Sequence, residues 1–154
     1  NFARMPSPRP FPQNINAIVR EVLALYQGAH KDLEIDGAFA EEIPPVQVDR
    51  DQIKRVLVNL FENAAEAMGH KGRIRIATSH DPAHRICRIE VSDEGIGIPP
   101  EDIDKLFLPY FSKKKSGTGL GLAIVNRIIS DHNGQIRVKP NHPSGTTFAV
   151  ELPA

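Results

Sequence analysis

The chain has 154 residues, 40% hydrophobic and 25% charged, which is typical of one globular domain with a buried core. Its 19 basic side chains balance its 19 acidic ones, so no net positive field favours nucleic acid or an anionic membrane. A single cysteine, Cys87, excludes an internal disulfide and fits a reducing compartment. No apolar run approaches the roughly 20 residues of a membrane-spanning helix. The chain begins at Asn1 instead of Met, so we expect a piece of a longer protein.

Alternating prolines deny residues 1–12 their helical hydrogen bonds and predict an extended linker, with the folded domain over residues 13–154. From Ile15 to Tyr26, apolar residues recur at helical spacing and predict a first amphipathic helix. Short strands are predicted over residues 33–39 and 46–48, separated by the break at Pro44 and Pro45.

A second helix is predicted after Asp49, which can cap it, with Gln52 three residues later in a variant of the capping box. The helix is expected to end at Gly69. Its apolar stripe consists of Ile53, Val56, Leu57, Leu60, Ala64, Ala67 and Met68. This stripe predicts that one face of the helix packs on the core.

Two strands are predicted next, over residues 73–78 and 85–93. The residues that share one face of the second strand are Cys87, Ile89, Val91 and Asp93. A third helix from Leu120 to about Asn133, with Gly134 as its C-cap, and strands over 135–139 and 146–152 complete the pattern. Because several strands adjoin through short turns, we expect a mixed sheet. The predicted fold class is α/β, an α+β two-layer sandwich of about five strands with three helices on one face.

Three segments carry candidate chemistry, and the first is the pair Asn59 and Asn63. Their spacing of four residues places them one above the other on the second helix, at the edge of its apolar stripe. Asparagine is a poor helix former, and its carboxamide oxygen can bind a hard cation such as Mg²⁺. The alternative is a structural pair bonded to a neighbouring loop.

The second candidate is the loop at residues 93–100, which begins with Asp93. An aspartate that emerges from a buried strand face can accept a hydrogen bond from an amino group such as adenine N6. Gly95 and Gly97 allow the backbone to turn sharply and to approach a flat ring closely. The alternative is a tight turn in which Asp93 bonds its own loop.

The third candidate is the lysine- and glycine-rich stretch at residues 112–122, which leads into the third helix. Free N–H groups and the positive end of a helix dipole make such a stretch a phosphate site, and the lysines add positive charge. A mobile loop over residues 110–119 that nucleotide orders is expected, with a permanently solvated loop as the alternative. No P-loop, Rossmann or eukaryotic-type kinase motif is present, and no Cys/His spacing indicates zinc.

Taken in this order, the three segments resemble the N, G1 and G2 boxes of the GHKL (Bergerat) ATP-binding fold. That fold occurs in sensor histidine kinases, gyrase-type topoisomerases, Hsp90 and MutL. Residues 106–111 and 144–148 are similar to the F box and the final glycine box of the histidine kinases. Residues 1–6 resemble the junction that leaves the helical hairpin in nitrogen-regulation sensor kinases. The resemblance covers residues 12–153.

The resemblance implies a site for ATP and Mg²⁺ with Asn63 as the metal ligand, Asn59 beside the triphosphate and Asp93 on adenine. Lys114 matches the phosphate-binding basic residue, and Asn59, Asn63 and Lys114 are the residues implied in catalysis. The implied nucleotide-binding residues are Asn59, Asn63, Asp93, Gly95, Gly97, Ile98, Lys114, Gly117, Thr118, Gly119, Leu120, Gly121 and Thr147. Some family members carry a lysine and an aromatic residue where this chain has Glu66 and Ala67, so ring stacking on adenine and one phosphate contact are not implied.

The implied reaction is transfer of the γ-phosphoryl group from Mg-ATP to a histidine on a separate dimerisation hairpin, for relay to the receiver domain of a response regulator. We therefore expect the domain to lie in the cytoplasm, whether or not its parent protein is anchored in a membrane. We expect it to be a monomer alone and its parent kinase a homodimer, with no contact to nucleic acid or membrane.

The alternative is an ATP-hydrolysing switch of the gyrase, Hsp90 or MutL kind, whose members place a glutamate where Asn59 stands. A third interpretation is a degenerate domain that docks partners without turnover.

Overall fold

The computed structural model describes residues 5–28, 30–109, 111 and 121–154. Its strands are β1 (Phe11–Gln13), β2 (Leu33–Ala38), β3 (Val46–Val48), β4 (Gly72–Asp81), β5 (Ile86–Asp93), β6 (Gln135–Pro140) and β7 (Thr146–Pro153). Its α-helices are α1 (Ile15–Tyr26), α2 (Arg50–Ala67) and α3 (Gly121–Asp131), and a 3₁₀ helix spans Pro100–Lys105.

The main sheet has five strands in the order β2-β4-β5-β7-β6. Strands β2 and β4 pair in parallel and the other neighbours are antiparallel, so the predicted mixed sheet is confirmed. Alternate residues such as Ile76, Ile89 and Val150 are buried beneath the helices, whereas Arg75 points away from them and is exposed. The core therefore lies between one face of the sheet and the three α-helices.

Helix α1 has the predicted bounds because its apolar spacing and its cap agree. The Asn14 carboxamide oxygen accepts a hydrogen bond from the backbone N–H of Ala17 at 3.0 Å. One face of the helix, which includes Ile18 and Val22, is buried. Local capping and the apolar stripe thus define the same twelve residues.

Helix α2 is capped by Asp49 as predicted, but the capping box is incomplete. Asp49 Oδ1 accepts from the backbone N–H of Gln52 at 3.2 Å. The Gln52 side chain does not return the bond, because its Nε2 donates to the Pro6 carbonyl at 3.1 Å. The Asp49 N–H donates instead to Nε2 of His132, at the end of α3, at 3.0 Å. The hydrogen bond from Asp49 to His132 therefore replaces the bond that the Gln52 side chain would accept in a complete capping box.

Helix α3 ends differently from the prediction, because Asn133, rather than Gly134, adopts the left-handed conformation, with φ of 60°. The Gly134 N–H closes the helix by donating to the Ile129 carbonyl at 2.9 Å. A glycine is required there for space, since a Cβ atom would lie 2.3 Å from the Glu151 carbonyl oxygen.

The N-terminal strap, residues 5–13, contains no helical residue and is docked on the domain through strand β1. Strand β1 pairs antiparallel with β3, and Pro12 lies opposite Gln47. The Arg9 N–H donates to Asp49 Oδ2 at 2.9 Å. This two-stranded sheet was not predicted, because it depends on a contact between segments over 30 residues apart. None of the helices in the described ranges is long and apolar enough to cross a bilayer.

Candidate functional site

Asp93 ends strand β5 with its side chain on the helix-covered face, as the strand period predicts. Only 3% of the residue is exposed. Its Oδ1 accepts from the backbone N–H of Gly95 at 2.9 Å and from that of Thr146 at 3.3 Å. Burial raises the pKa of this carboxyl, and the two N–H donors oppose that shift. The carboxylate is thus held through one oxygen, so its second oxygen can accept a hydrogen bond from a ligand.

The loop after Asp93 lies directly against the C-terminal end of α2. A Cβ atom on Gly95 would be 2.5 Å from the Ala67 carbonyl oxygen. The Ile96 N–H donates to that same carbonyl at 3.4 Å. Gly97 has a φ of 78°, which favours glycine, and Ile98 is half-buried against the core. The two predicted glycines therefore serve a close approach and a turn.

The turn between β6 and β7 closes over the same aspartate. Gly145, with φ of 101°, lies so near that a Cβ atom would be 2.0 Å from the Asp93 carbonyl oxygen. The Ser144 hydroxyl donates to the Glu94 carbonyl at 3.2 Å. The N–H of Thr146 reaches the Asp93 carboxylate, as described above. The site is therefore assembled from the end of β5, the end of α2 and this turn.

Thr147, which the resemblance implied as a nucleotide-binding residue, has its side chain on the opposite face of the sheet from that of Asp93. Thr147 lies opposite Ser92 on the open face of the sheet, and their hydroxyl oxygens are 2.7 Å apart. Thr146 lies on the face of Asp93. Its parity with Phe148 and Val150 was the sequence signal that could have identified it, since those apolar residues mark the covered face.

Asn59 and Asn63 are half-buried and lie one turn apart on α2, as predicted. The Asn59 carboxamide donates to the Gly121 carbonyl, at the start of α3, over a long 3.5 Å. Asn63 is four residues before Ala67, or about 6 Å along the helix axis. The pair therefore lies between the first turn of α3 and the loop that follows Asp93.

The chemistry of the asparagine pair fits Mg²⁺ held with phosphate, since a carboxamide oxygen is a hard ligand and Mg²⁺ retains waters. Among the described residues no group of three His, Cys, Asp or Glu side chains could hold a metal alone. Asn63 is thus a candidate for one ligand of an ion that phosphate oxygens would also bind.

Five of the predicted phosphate-binding residues lie outside the described residues, and their roles stay predictions. They are Lys114, Gly117, Thr118, Gly119 and Leu120. Gly121 is described, and it begins α3 beside Asn59.

Known proteins are similar in sequence to this chain over most of its length. The model of the family described as histidine kinase-, DNA gyrase B- and HSP90-like ATPase matches residues 48–154. The sensor histidine kinase ZraS of Salmonella typhimurium is 38% identical over 142 residues, which are 91% of this chain and 30% of ZraS. The sensory histidine kinase/phosphatase NtrB of Rhodobacter capsulatus is 37% identical over 166 residues, 99% of this chain and 46% of NtrB. The chain thus spans less than half the length of these curated relatives.

Solved structures share the fold as well. The catalytic domain of histidine kinase ThkA superimposes with a TM-score of 0.85 at 35% identity, covering 94% of this chain and 95% of that domain. ThkA in complex with response regulator protein TrrA gives 0.82 at 32% identity, over 95% of this chain and 42% of ThkA. Full-length ShkA in complex with AMPPNP gives 0.84 at 26% identity, over 99% of this chain and 33% of ShkA. The predicted fold of a histidine kinase catalytic domain is therefore confirmed, and NtrB is among the relatives, as the residues at the N-terminal junction predicted.

Proposed function

Since this chain belongs to the family of histidine kinase-, DNA gyrase B- and HSP90-like ATPases, we propose that it is the catalytic domain of a sensor histidine kinase. It binds Mg-ATP and transfers the γ-phosphoryl group to a histidine on a separate dimerisation hairpin. The bond from the γ-phosphorus to the bridging oxygen breaks, a bond to an imidazole nitrogen forms, and ADP leaves. The imidazole proton is released to solvent.

The observation that carries this proposal is the way Asp93 is held. Two backbone N–H groups fix one oxygen of a buried carboxylate, so the other oxygen can accept the N6 amino group of adenine. Guanine presents a carbonyl oxygen at the corresponding position and would leave the carboxylate facing an acceptor. An unpaired buried polar group costs about 1–3 kcal/mol, which favours ATP over GTP by about 5- to 150-fold.

The triphosphate would then extend along α2 towards the beginning of α3. Asn63 would hold Mg²⁺ through its carboxamide oxygen, and the ion would neutralise charge on the phosphates. Asn59 and the N-terminus of α3 lie together and would contact phosphate oxygens. Lys114 and residues 117–120 would complete the phosphate site. Transfer of this kind depends mainly on positioning and charge neutralisation, and this chain would supply both.

The acceptor hairpin and the receiver domain of a response regulator are the partners of this reaction. The solved complex of ThkA with TrrA supports the second partner. The proposed use of ATP and the free thiol of Cys87 support a cytoplasmic location. We propose that the isolated domain is a monomer and that the parent kinase dimerises through its hairpin. Residues 1–12 would join that hairpin to the catalytic domain, with residues 5–13 docked on it.

The test combines binding with transfer. ATP and GTP affinities are measured by calorimetry with and without Mg²⁺, for the unmodified chain and for Asp93→Ala. Transfer of labelled phosphate to a supplied hairpin domain is then followed. We expect Mg²⁺-dependent ATP binding, loss of binding in Asp93→Ala, and an acid-labile phosphohistidine on the hairpin alone. Equal affinity for ATP and GTP would contradict the role of Asp93, and absence of transfer would contradict the kinase assignment.

Asn59 separates this proposal from an ATP-hydrolysing switch. A carboxamide lacks the basicity to activate water, whereas a general base contributes about 10²–10⁴-fold in rate. We therefore expect negligible ATPase activity from the unmodified chain and measurable phosphate release from Asn59→Glu, with binding checked in parallel. Substantial turnover by the unmodified chain would favour the gyrase-like alternative.

A further inference from the structure

Asn141, which no motif in the sequence indicated, lies just after β6 and contacts the main-chain carbonyl of Asp93. Its Nδ2 donates to the Asp93 carbonyl oxygen at 2.7 Å, across 48 residues of sequence. Its Oδ1 accepts from the N–H of His142 at 3.0 Å. Its own N–H donates to the Gly145 carbonyl at 3.0 Å and closes the turn. The amide nitrogen and the amide oxygen of the Asn141 side chain therefore both have hydrogen-bond partners, one in Asp93 and the other in the turn.

The sheet explains why this contact is needed. Asp93 pairs with Ile74 on the β4 side, but the register of β5 with β7 ends at Ser92 opposite Thr147. Beyond that last pair, the β7 side of Asp93 has no ladder partner. The Asn141 amide supplies a donor where the strand pairing stops. Because the contact crosses from β6 past β7, it also fixes the turn whose Thr146 N–H holds the Asp93 carboxylate.

We propose that Asn141 is a positioning residue for nucleotide recognition, which orients Asp93 towards the base without touching the nucleotide itself. This rests on the proposed role of Asp93 in binding adenine. The Asn141 side chain holds the Asp93 main chain, whereas its main-chain N–H, which both substitutions below retain, closes the turn next to Thr146, the donor to Oδ1. Its contribution therefore belongs to base recognition and is separate from the chemistry at the γ-phosphate.

Two substitutions test this role. Asn141→Ala removes the donor and should weaken ATP binding by about three- to tenfold, the value of one net hydrogen bond. Asn141→Asp keeps the shape but sets an oxygen against the Asp93 carbonyl, and should weaken binding by more than tenfold. Asn14→Ala is the matched control, since it also removes one asparagine side-chain hydrogen bond, at the cap of α1, and leaves Asp93 untouched. It should stay within about twofold of the unmodified chain.

The results expected for a positioning residue differ from those expected for a residue that only stabilises the fold. Both Asn141 variants should show a reduced preference for ATP over GTP, should lose ADP and ATP affinity by the same factor, and should transfer phosphate at the unmodified rate once ATP is saturating. Unchanged affinities and an unchanged ATP-to-GTP ratio, with only a lowered Tm, would overturn the proposal.

The unmodified chain separates the two possible failures. If it fails to prefer ATP, the role of Asp93 is wrong and that of Asn141 falls with it. If it prefers ATP and both Asn141 variants keep the same ATP-to-GTP ratio, only the inference on Asn141 is overturned. Should neither variant fold, the Asn141 side-chain amide resonances of the unmodified chain give the second measurement. ATP should shift them, and resonances that do not move would contradict the proposal.

Discussion

At the scale of one residue, the burial of the Asp93 carboxylate lowers the stability of the folded chain, although the same carboxylate is proposed to bind the ligand. Burial raises its pKa, so the ionised form is less stable in the folded chain than in the unfolded one. The loss of folding stability appears as the pH rises above the ordinary aspartate pKa of about 3.9. It is fully present above the raised pKa of the folded chain. Asp93→Asn, whose oxygen can still accept from Gly95 and Thr146, should therefore be more stable than the unmodified chain at neutral pH.

Thermal unfolding of both proteins from pH 3.5 to 8 measures this effect. The Tm of Asp93→Asn should exceed that of the unmodified chain at pH 7, and the two should converge in acid. The same variant should lose ATP binding, since a carboxamide can set an amino group against N6. A lower Tm for Asp93→Asn at every pH would show that the carboxylate stabilises the free domain.

Gly95 offers a second test at the same scale, because the loop approaches the end of α2 without room for a side chain. In Gly95→Ala the new methyl group would overlap the Ala67 carbonyl, so the loop must shift. We expect a loss of about 1–3 kcal/mol in the free energy of unfolding, together with weaker ATP binding. Ile96→Ala is the control for stability, since Ile96 is 93% exposed. Similar unfolding midpoints in denaturant for the two variants would contradict the close approach.

The two helix caps differ at the scale of elements, although both supply one side-chain oxygen to a first-turn N–H. Asn14 caps α1 alone. Asp49 caps α2 and also accepts from the Arg9 N–H of the strap. A lost cap costs about 1 kcal/mol. Asp49→Ala should therefore destabilise the domain by more than Asn14→Ala, by about one further hydrogen bond. Urea unfolding measures both, and equal losses would mean that the strap contributes no stability through Asp49.

Glu151 on β7 provides a pH-dependent bond between neighbouring strands. It accepts from Arg88 on β5 at 2.6 Å and from Arg137 on β6 at 3.0 Å. The bond from Arg88 is the main cause that lowers the pKa of Glu151, and Arg137 adds to it. A lowered pKa gives stability that is present above the ordinary glutamate value of about 4.3 and is lost as pH falls through the lowered value.

Glu151→Gln should therefore cost on the order of 1 kcal/mol at pH 7, because solvent screens the partly exposed guanidinium groups. The difference from the unmodified chain should disappear in acid. Denaturant unfolding at pH values from 7 down to 2 is the measurement. A difference that persists unchanged to the acid end of that range would assign the loss to packing instead of charge.

Across the whole molecule, sequence periodicity predicted the features that depend on contacts between residues close together in the sequence. The stripe of α1, the Asp49 cap and the buried face of β5 each follow from neighbours within a few residues. The sequence also predicted Asp93 as the polar residue on that face. These features needed no knowledge of distant contacts, and the mixed sheet followed from the order of the elements.

The remaining features depend on partners far apart in the sequence. His132 takes the N–H that a local capping box would have used. The contact of Asn141 with Asp93 could not be seen from spacing, since it follows from where the β5–β7 register ends. Strand parity places Thr146, and not Thr147, on the covered face, but the partner of Thr146 on that face is Asp93, 53 residues away in the sequence.

The docked strap has a thermodynamic consequence that follows from reciprocity. Asp49 joins the strap to α2 and α3, and α2 carries Asn59 and Asn63. If docking of the strap increases ATP affinity by some factor, bound ATP must favour docking by the same factor. Amide hydrogen exchange in β1 and β3 should then slow when Mg-ATP is added, and unchanged exchange would mean that the two events are independent. With such coupling, a mechanical pull on residues 5–13 would be converted into a change in nucleotide affinity.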